Sequence, residues 1–214
     1  MRLLLIHTCG AEGVVALAED ASVVGVELLP GRSSSEKLLP AVRRLMEERG
    51  WLVRDLAAIA VVIGPGSFTG VRVGLSAAKG LCEAGAVGMV AMSRLALVAA
   101  GIDAEGEALV VLDAGRGEFF CGVYRDGERV SEQLLRVEEV KALCLDRHVA
   151  TCEARVAESL ARIGIHAELI PEPGPAAMLA MSVKRIQLAQ WSDVATVDAN
   201  YLRRTDAEIL VYGR

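Results

Sequence analysis

Three short apolar runs open the chain: Arg2 to Thr8, Gly13 to Ala18 and Val23 to Leu29. Cys9-Gly10-Ala11-Glu12 and Glu19-Asp20 separate them, and apolar runs bounded by turn residues predict strands. The period then changes. Leu38, Leu39, Val42, Leu45 and Met46 recur at the spacing of one helical face. The cap candidates Ser33-Ser34-Ser35-Glu36 precede them and Gly50 follows, so a helix is predicted between. Ile59 to Ile63 predicts a buried strand, the segment from about Thr69 to Ala84 a helix, and Val87 to Met92 a strand with a helix after Ser93.

The second half repeats the order. Ala108 to Leu112 predicts a strand, and Glu118 to Tyr124 with Arg129 to Val137 a hairpin over Asp126-Gly127. Glu138 to Cys144 reads as a helix, His148 to Thr151 as a strand and Glu153 to Ile163 as a helix. Strand-strand-strand-helix-strand-helix therefore occurs twice. That order predicts an α/β protein of two lobes with mixed sheets, residues 1–101 and 102–214, of the actin-like or ribonuclease-H-like kind.

Composition narrows the class. Hydrophobic residues make up 53% of the chain and aromatics only 4%. A core of Ala, Val and Leu fits layered α/β packing or a sizeable buried partner surface. A net charge of -5 argues against autonomous nucleic-acid binding, since Arg43-Arg44 and Arg203-Arg204 both lie among acidic residues. Cys9, Cys82, Cys121, Cys144 and Cys152 show no CxxC spacing and read as reduced thiols of a cytoplasmic protein. Met1 to Ile6 reads as a strand rather than a signal peptide, and no apolar run is long enough to predict a membrane span.

The chemistry turns on 64-GPGSFTGVRVGLSAAKGL-81, which holds five glycines and one proline. A phosphate-binding P-loop needs GxxxxGK[S/T], but Val71 follows Gly70 where the lysine belongs. A GxGxxG fingerprint starting at Gly64 meets Thr69 in place of its last glycine. An anion held by the helix N-terminus stays open as a reading. The favoured one is packing: Pro65 makes a tight turn, Ser67 or Thr69 caps the helix, and Gly70, Gly74 and Ala77-Ala78 form a small-residue face. Each helical glycine costs about 1 kcal/mol, which only close approach of another element returns.

Other candidates are weaker. His7 and Cys9 share a strand face, but His148 and His166 lie far off in sequence, so no metal site is expected. Asp113, Arg116 and Glu118 in DAGRGE are either catalytic or, as favoured here, a turn with a local Arg-carboxylate pair. Ser33 to Ser35 reads as a cap, and 198-DANYLRR-204 as a tail docked on the surface. No catalytic constellation emerges.

The glycine-rich segment is similar to the signature of the TsaB (YeaZ-type) family, the bacterial partner subunit in tRNA threonylcarbamoyladenosine synthesis. LLLIHT in the first strand, 35-SEKLLPAVRRLM-46, 113-DAGRGEFFCGVY-124 and 200-NYLRR-204 carry the same resemblance in the same order. It is weakest from Val140 to Val194. The resemblance implies a two-lobed actin-like/ASKHA (ribonuclease-H-like) fold and a non-catalytic subunit. Such a subunit binds TsaD, is joined by the ATPase TsaE, reaches tRNA only through the complex, and forms a homodimer when alone. It implies no cofactor in the isolated chain, with ATP/ADP and metal in partner subunits or at the complex interface. The implied partner surface is Leu38, Leu39, Val42, Leu45 and Met46 on the first helix. On the glycine turn and second helix it is Gly64, Gly66, Ser67, Phe68, Thr69, Gly70, Arg72, Val73, Gly74, Ala77, Ala78 and Leu81.

This chain departs from the family pattern in three places. His7 stands where the first strand usually has Asp, Ser35 where a His precedes the first helix, and Gly115 where Arg is commoner; the HxxxH of TsaD-like metal-binding enzymes is also absent. The alternatives are an independent ASKHA-type enzyme, a small-molecule kinase or M22-like peptidase, and a homodimeric structural protein.

Overall fold

The computed structural model describes residues 1–30, 34–103 and 106–202. Its first sheet is built from β1 (Arg2–His7), β2 (Gly13–Glu19), β3 (Ser22–Leu29), β4 (Ala58–Val62) and β5 (Gly88–Met92), in the order β3-β2-β1-β4-β5. β1 pairs antiparallel with β2 and parallel with β4, so the sheet is mixed. Helices α1 (Ser34–Arg49) and α2 (Phe68–Gly85) connect β3 to β4 and β4 to β5.

The second sheet repeats this wiring. β6 (Glu107–Gly115), β7 (Glu118–Arg125), β8 (Glu128–Arg136), β9 (His148–Thr151) and β10 (Glu168–Leu169) take the order β10-β9-β6-β7-β8. Helices α4 (Val137–Leu143) and α5 (Ala154–Ala161) stand where α1 and α2 stand in the first lobe. This is the duplicated, mixed-sheet, actin-like architecture that the element order predicted.

The closing helices are exchanged between the lobes. α3 (Arg94–Ala99) follows β5, but Leu95, Val98 and Ala99 pack with Val110, Leu112 and Tyr124 of the second sheet. α6 (Pro175–Gln187) follows β10, but Met178 and Leu179 join the core of the first. The reason lies in the strands. β1 and β4 are apolar at nearly every position and β4 is buried throughout, which requires cover on both sheet faces. α1 and α2 cover one face and α6 the other. In the second sheet Leu109 and Val111 meet α4 and α5, while Val110 and Leu112 meet α3. The change of sheet thus falls near residue 101, while α6 and the tail to residue 202 lie on the first lobe.

Two elements had no counterpart in the sequence reading. β10 is two residues long, too short to leave a periodic pattern. α6 begins with Pro175 at its first turn after Gly174. Proline fits there because the missing N–H would have had no partner inside the helix. Among the described residues no helix is long and apolar enough to cross a membrane.

Candidate functional site

The carboxyl end of β1 runs into a buried polar cluster where the lobes meet. Arg94, only 4% exposed at its side chain, makes a two-pronged contact with Glu172, Nε to Oε1 at 2.8 Å and Nη2 to Oε2 at 2.5 Å. Its Nη1 donates to Glu153 Oε1 at 2.9 Å, and Glu153 Oε2 accepts the Asp113 backbone N–H at 2.8 Å. Cys152 Sγ lies 3.1 Å from Glu172 Oε2. Glu172 sits between Pro171 and Pro173, whose rings restrict the backbone around it.

The charges reinforce one another. Burial alone would raise the Glu172 carboxyl, but the hydrogen bonds and charge of Arg94, helped by the nearby His7, outweigh it and hold it far below its ordinary range. Burial would likewise lower Arg94, and Glu172 more than offsets it. His7 is buried beside this pair, with Nε2 at 3.4 Å from Glu172 Oε1. The contact is poorly aligned for a hydrogen bond, and Nδ1 also lacks a partner. Arg94 takes a cation's place between Glu153 and Glu172 and offsets one of their two charges. Among the described residues no group of three His, Cys, Asp or Glu is placed to ligate a metal.

Desolvation pushes the thiols of Cys9 and Cys121 up to about 12. Both should resist a disulfide reagent such as DTNB at pH 8 in the folded protein and react fully in guanidinium chloride, because only the thiolate attacks. Rapid labelling of either in the native state would contradict this burial.

The glycine turn packs onto the same strand end. Ser67 caps α2, its Oγ accepting the Gly70 N–H at 3.2 Å, and Ser67 N donates to Cys9 O at 3.0 Å. Thr8 Oγ1 donates to Gly70 O at 2.6 Å. A methyl group on Gly70 would lie 1.9 Å from Thr8 O, and one on Gly74 2.3 Å from Thr8 Oγ1. The small-residue face is therefore filled by β1 of the same chain.

The residues implied as a partner surface separate accordingly. Leu38, Val42, Leu45 and Met46 are buried in the first lobe's core, as are Gly64, Gly70, Gly74 and Ala78. Leu39, Ser67, Phe68, Thr69 and Arg72 are exposed, and Gly66, Val73, Ala77 and Leu81 lie between. The exposed set continues into the tail. Arg72 stacks over the Phe68 ring at 3.5 Å and donates through Nε to Tyr201 Oη at 2.7 Å, with the two rings 5.7 Å apart. The docked tail read from 198-DANYLRR-204 is present to Leu202, with Asn200 N donating to Ile63 O at 2.8 Å. Ser33, Arg203 and Arg204 lie outside the described residues.

In the DAGRGE turn, Asp113 Oδ1 accepts the Gly115 N–H at 2.7 Å. Arg94, Glu153 and Glu172 escaped the sequence reading, since each stands alone among apolar or turn residues and only the fold joins them.

The sequence model of the family described as TsaD, tRNA N6-adenosine threonylcarbamoyltransferase, matches residues 29–210. The chain is similar to the tRNA threonylcarbamoyladenosine biosynthesis protein TsaB of Escherichia coli, 36% identical over 132 residues, 60% of this chain and 57% of that protein. It is 32% identical to TsaB of Bacillus subtilis over 142 residues, 65% of this chain and 62% of that protein. The matched stretch thus spans less than two thirds of either relative. The solved structure of YeaZ from Pseudomonas aeruginosa superposes with a TM-score of 0.76 at 25% identity, covering 94% of this chain and 99% of that one.

Proposed function

Since the chain belongs to the TsaB (YeaZ-type) family, we propose that it acts in tRNA threonylcarbamoyladenosine biosynthesis, as a subunit that binds TsaD and leaves the transfer to it. The observation that carries this reading is the exposed set of Phe68, Arg72 and Tyr201 beside α1 and α2. Aromatic and arginine side chains already held by one another lose little entropy on docking and dominate protein interfaces. Phe68 is 50% and Tyr201 39% exposed, so an apolar partner surface would remove both from water. The same face supports a homodimer in the absence of TsaD. TsaE joins the pair, tRNA is reached only through the assembly, and ATP/ADP and metal belong to partner subunits or to the interface.

Size-exclusion chromatography with light scattering, on the protein alone and mixed with its cognate TsaD, tests this. A one-to-one complex is expected to replace the homodimer. Phe68→Ala and Leu39→Asp should each weaken that complex about tenfold or more while retaining the far-UV circular dichroism of a folded monomer, since both positions face solvent in the single chain. Failure to associate, or full association by both variants, would overturn the reading. Stoichiometric ATP binding by the isolated chain would favour an independent ASKHA-type enzyme instead.

A further inference from the structure

On the other side of the Ser93-Arg94 step from the buried cluster, the lobes enclose a second space of about 600 Å³. Its walls are the end of β5, the start of α3, the β7–β8 hairpin, the last turns of α6 and the tail segment 192–200. That size is within the roughly 300–1,000 Å³ range of small-molecule sites.

The carboxylates at this space have hydrogen-bond partners, while its two guanidiniums keep most of their donors spare. Glu128 accepts from Lys184 Nζ at 3.3 Å, and Asp198 Oδ1 takes the Ala199 N–H at 2.7 Å. Glu132, behind the wall, takes the Tyr124 hydroxyl and the Asn200 amide, each at 2.5 Å. Arg185 is half-buried and donates only to the Ala91 carbonyl. Among the described residues the Arg129 side chain makes neither a hydrogen bond nor an ion pair. Burial first, and then the Arg129 charge, pull Arg185 below its ordinary value, with Glu128, Tyr124 and Glu132 offsetting part of this. Two like charges with spare donors on one cavity mark a place where an anion relieves desolvation and repulsion together.

The neutral groups agree. Ser192 Oγ accepts the Ala91 N–H at 2.9 Å, which leaves its own proton to donate into the space. Ile63 and Ala96 supply apolar wall. We propose that this interlobe space binds a small organic anion, its carboxylate or phosphate head against Arg129 and Arg185 and its remainder over Ile63 and Ala96. The site is separate from the Phe68 surface, so it stands or falls independently of TsaD binding.

The test is an NMR titration of the isolated protein with inorganic phosphate and, separately, with succinate, following backbone amides and arginine Nε–H signals. Saturable shifts are expected at Ser192, Asn200 and Arg185. Arg129→Gln and Arg185→Gln should each weaken binding about tenfold or more, as loss of a charge-assisted hydrogen bond does. The Arg129 side chain is exposed, so its variant is expected to fold even if Arg185→Gln does not. Saturation by phosphate alone assigns a phosphoryl head, and by succinate alone a carboxylate. Saturation by neither, or equal affinity in wild type and Arg129→Gln, would overturn the site.

Discussion

Gly70→Ala is expected to lower the melting temperature by roughly 6–12 °C, for a loss of about 3 kcal/mol in a chain of this size. Helix propensity alone points the other way, because alanine is the better helix former by about 1 kcal/mol. Space decides. The added methyl group would stand 1.9 Å from the Thr8 carbonyl oxygen and 3.0 Å from its carbon, and both are backbone atoms. No rotamer relieves that clash, so α2 would have to lift off β1. Doing so breaks the hydrogen bond from Thr8 Oγ1 to Gly70 O. Gly80 is the internal control. It lies in the same helix with nothing within 4 Å of a built methyl group. Gly80→Ala should therefore stabilise the protein by about 0.5–1 kcal/mol. Opposite signs for the two substitutions, read by thermal melting, support close approach at Gly70. Equal melting temperatures would remove the account of why α2 carries its glycines.

That pair shows how far the sequence could be read. The cost of a glycine inside a helix signals close packing, and Gly70 and Gly74 do pack closely. What spacing could not say is which element approaches. The spacing suggested another helix, but Thr8 and Ile6 of β1 lie against Gly70 and Gly74, because a parallel crossover lays its helix back on the sheet. The duplicated order was legible because most strands are apolar runs between turn residues, β8 and the two-residue β10 excepted. The exchange of α3 and α6 was not. Both helices are apolar enough to cover a sheet, and neither carries a mark of which sheet. The cluster around Arg94 was hidden for a related reason. Glu153 and Glu172 lie 59 and 78 residues from it along the chain, and no local pattern links them. The Phe68–Arg72 pair was legible in kind, since both fall in the glycine-rich signature, but Tyr201 joins them from 129 residues beyond Arg72.

Arg94→Met should cost about 3 kcal/mol at pH 7, by removing the cation that two carboxylates share. The methionine keeps most of the aliphatic volume, so the loss reports charge more than packing. The figure stays at the low end of the range because Glu172 retains 37% exposure and water screens it in part. The pH dependence separates the two contributions. In the wild type the Glu172 carboxyl lies below its ordinary 4.5 in the folded state: burial would raise it, and Arg94 and His7 outweigh that. A depressed carboxylate contributes stability that is complete above its unfolded value. That stability declines as pH falls below about 4.5 towards the lower folded value. Without Arg94, burial still raises Glu172 and only His7 and Cys152 are left to lower it, so the variant loses less stability on acidification than the wild type. Urea unfolding at pH 7 and at pH 3.5 should then show the gap between the two proteins narrowing on acidification. A gap of constant size would mean that Arg94 acts through its packed stem and not its charge. The lobes would then be joined by ordinary apolar contact, with the carboxylates as bystanders.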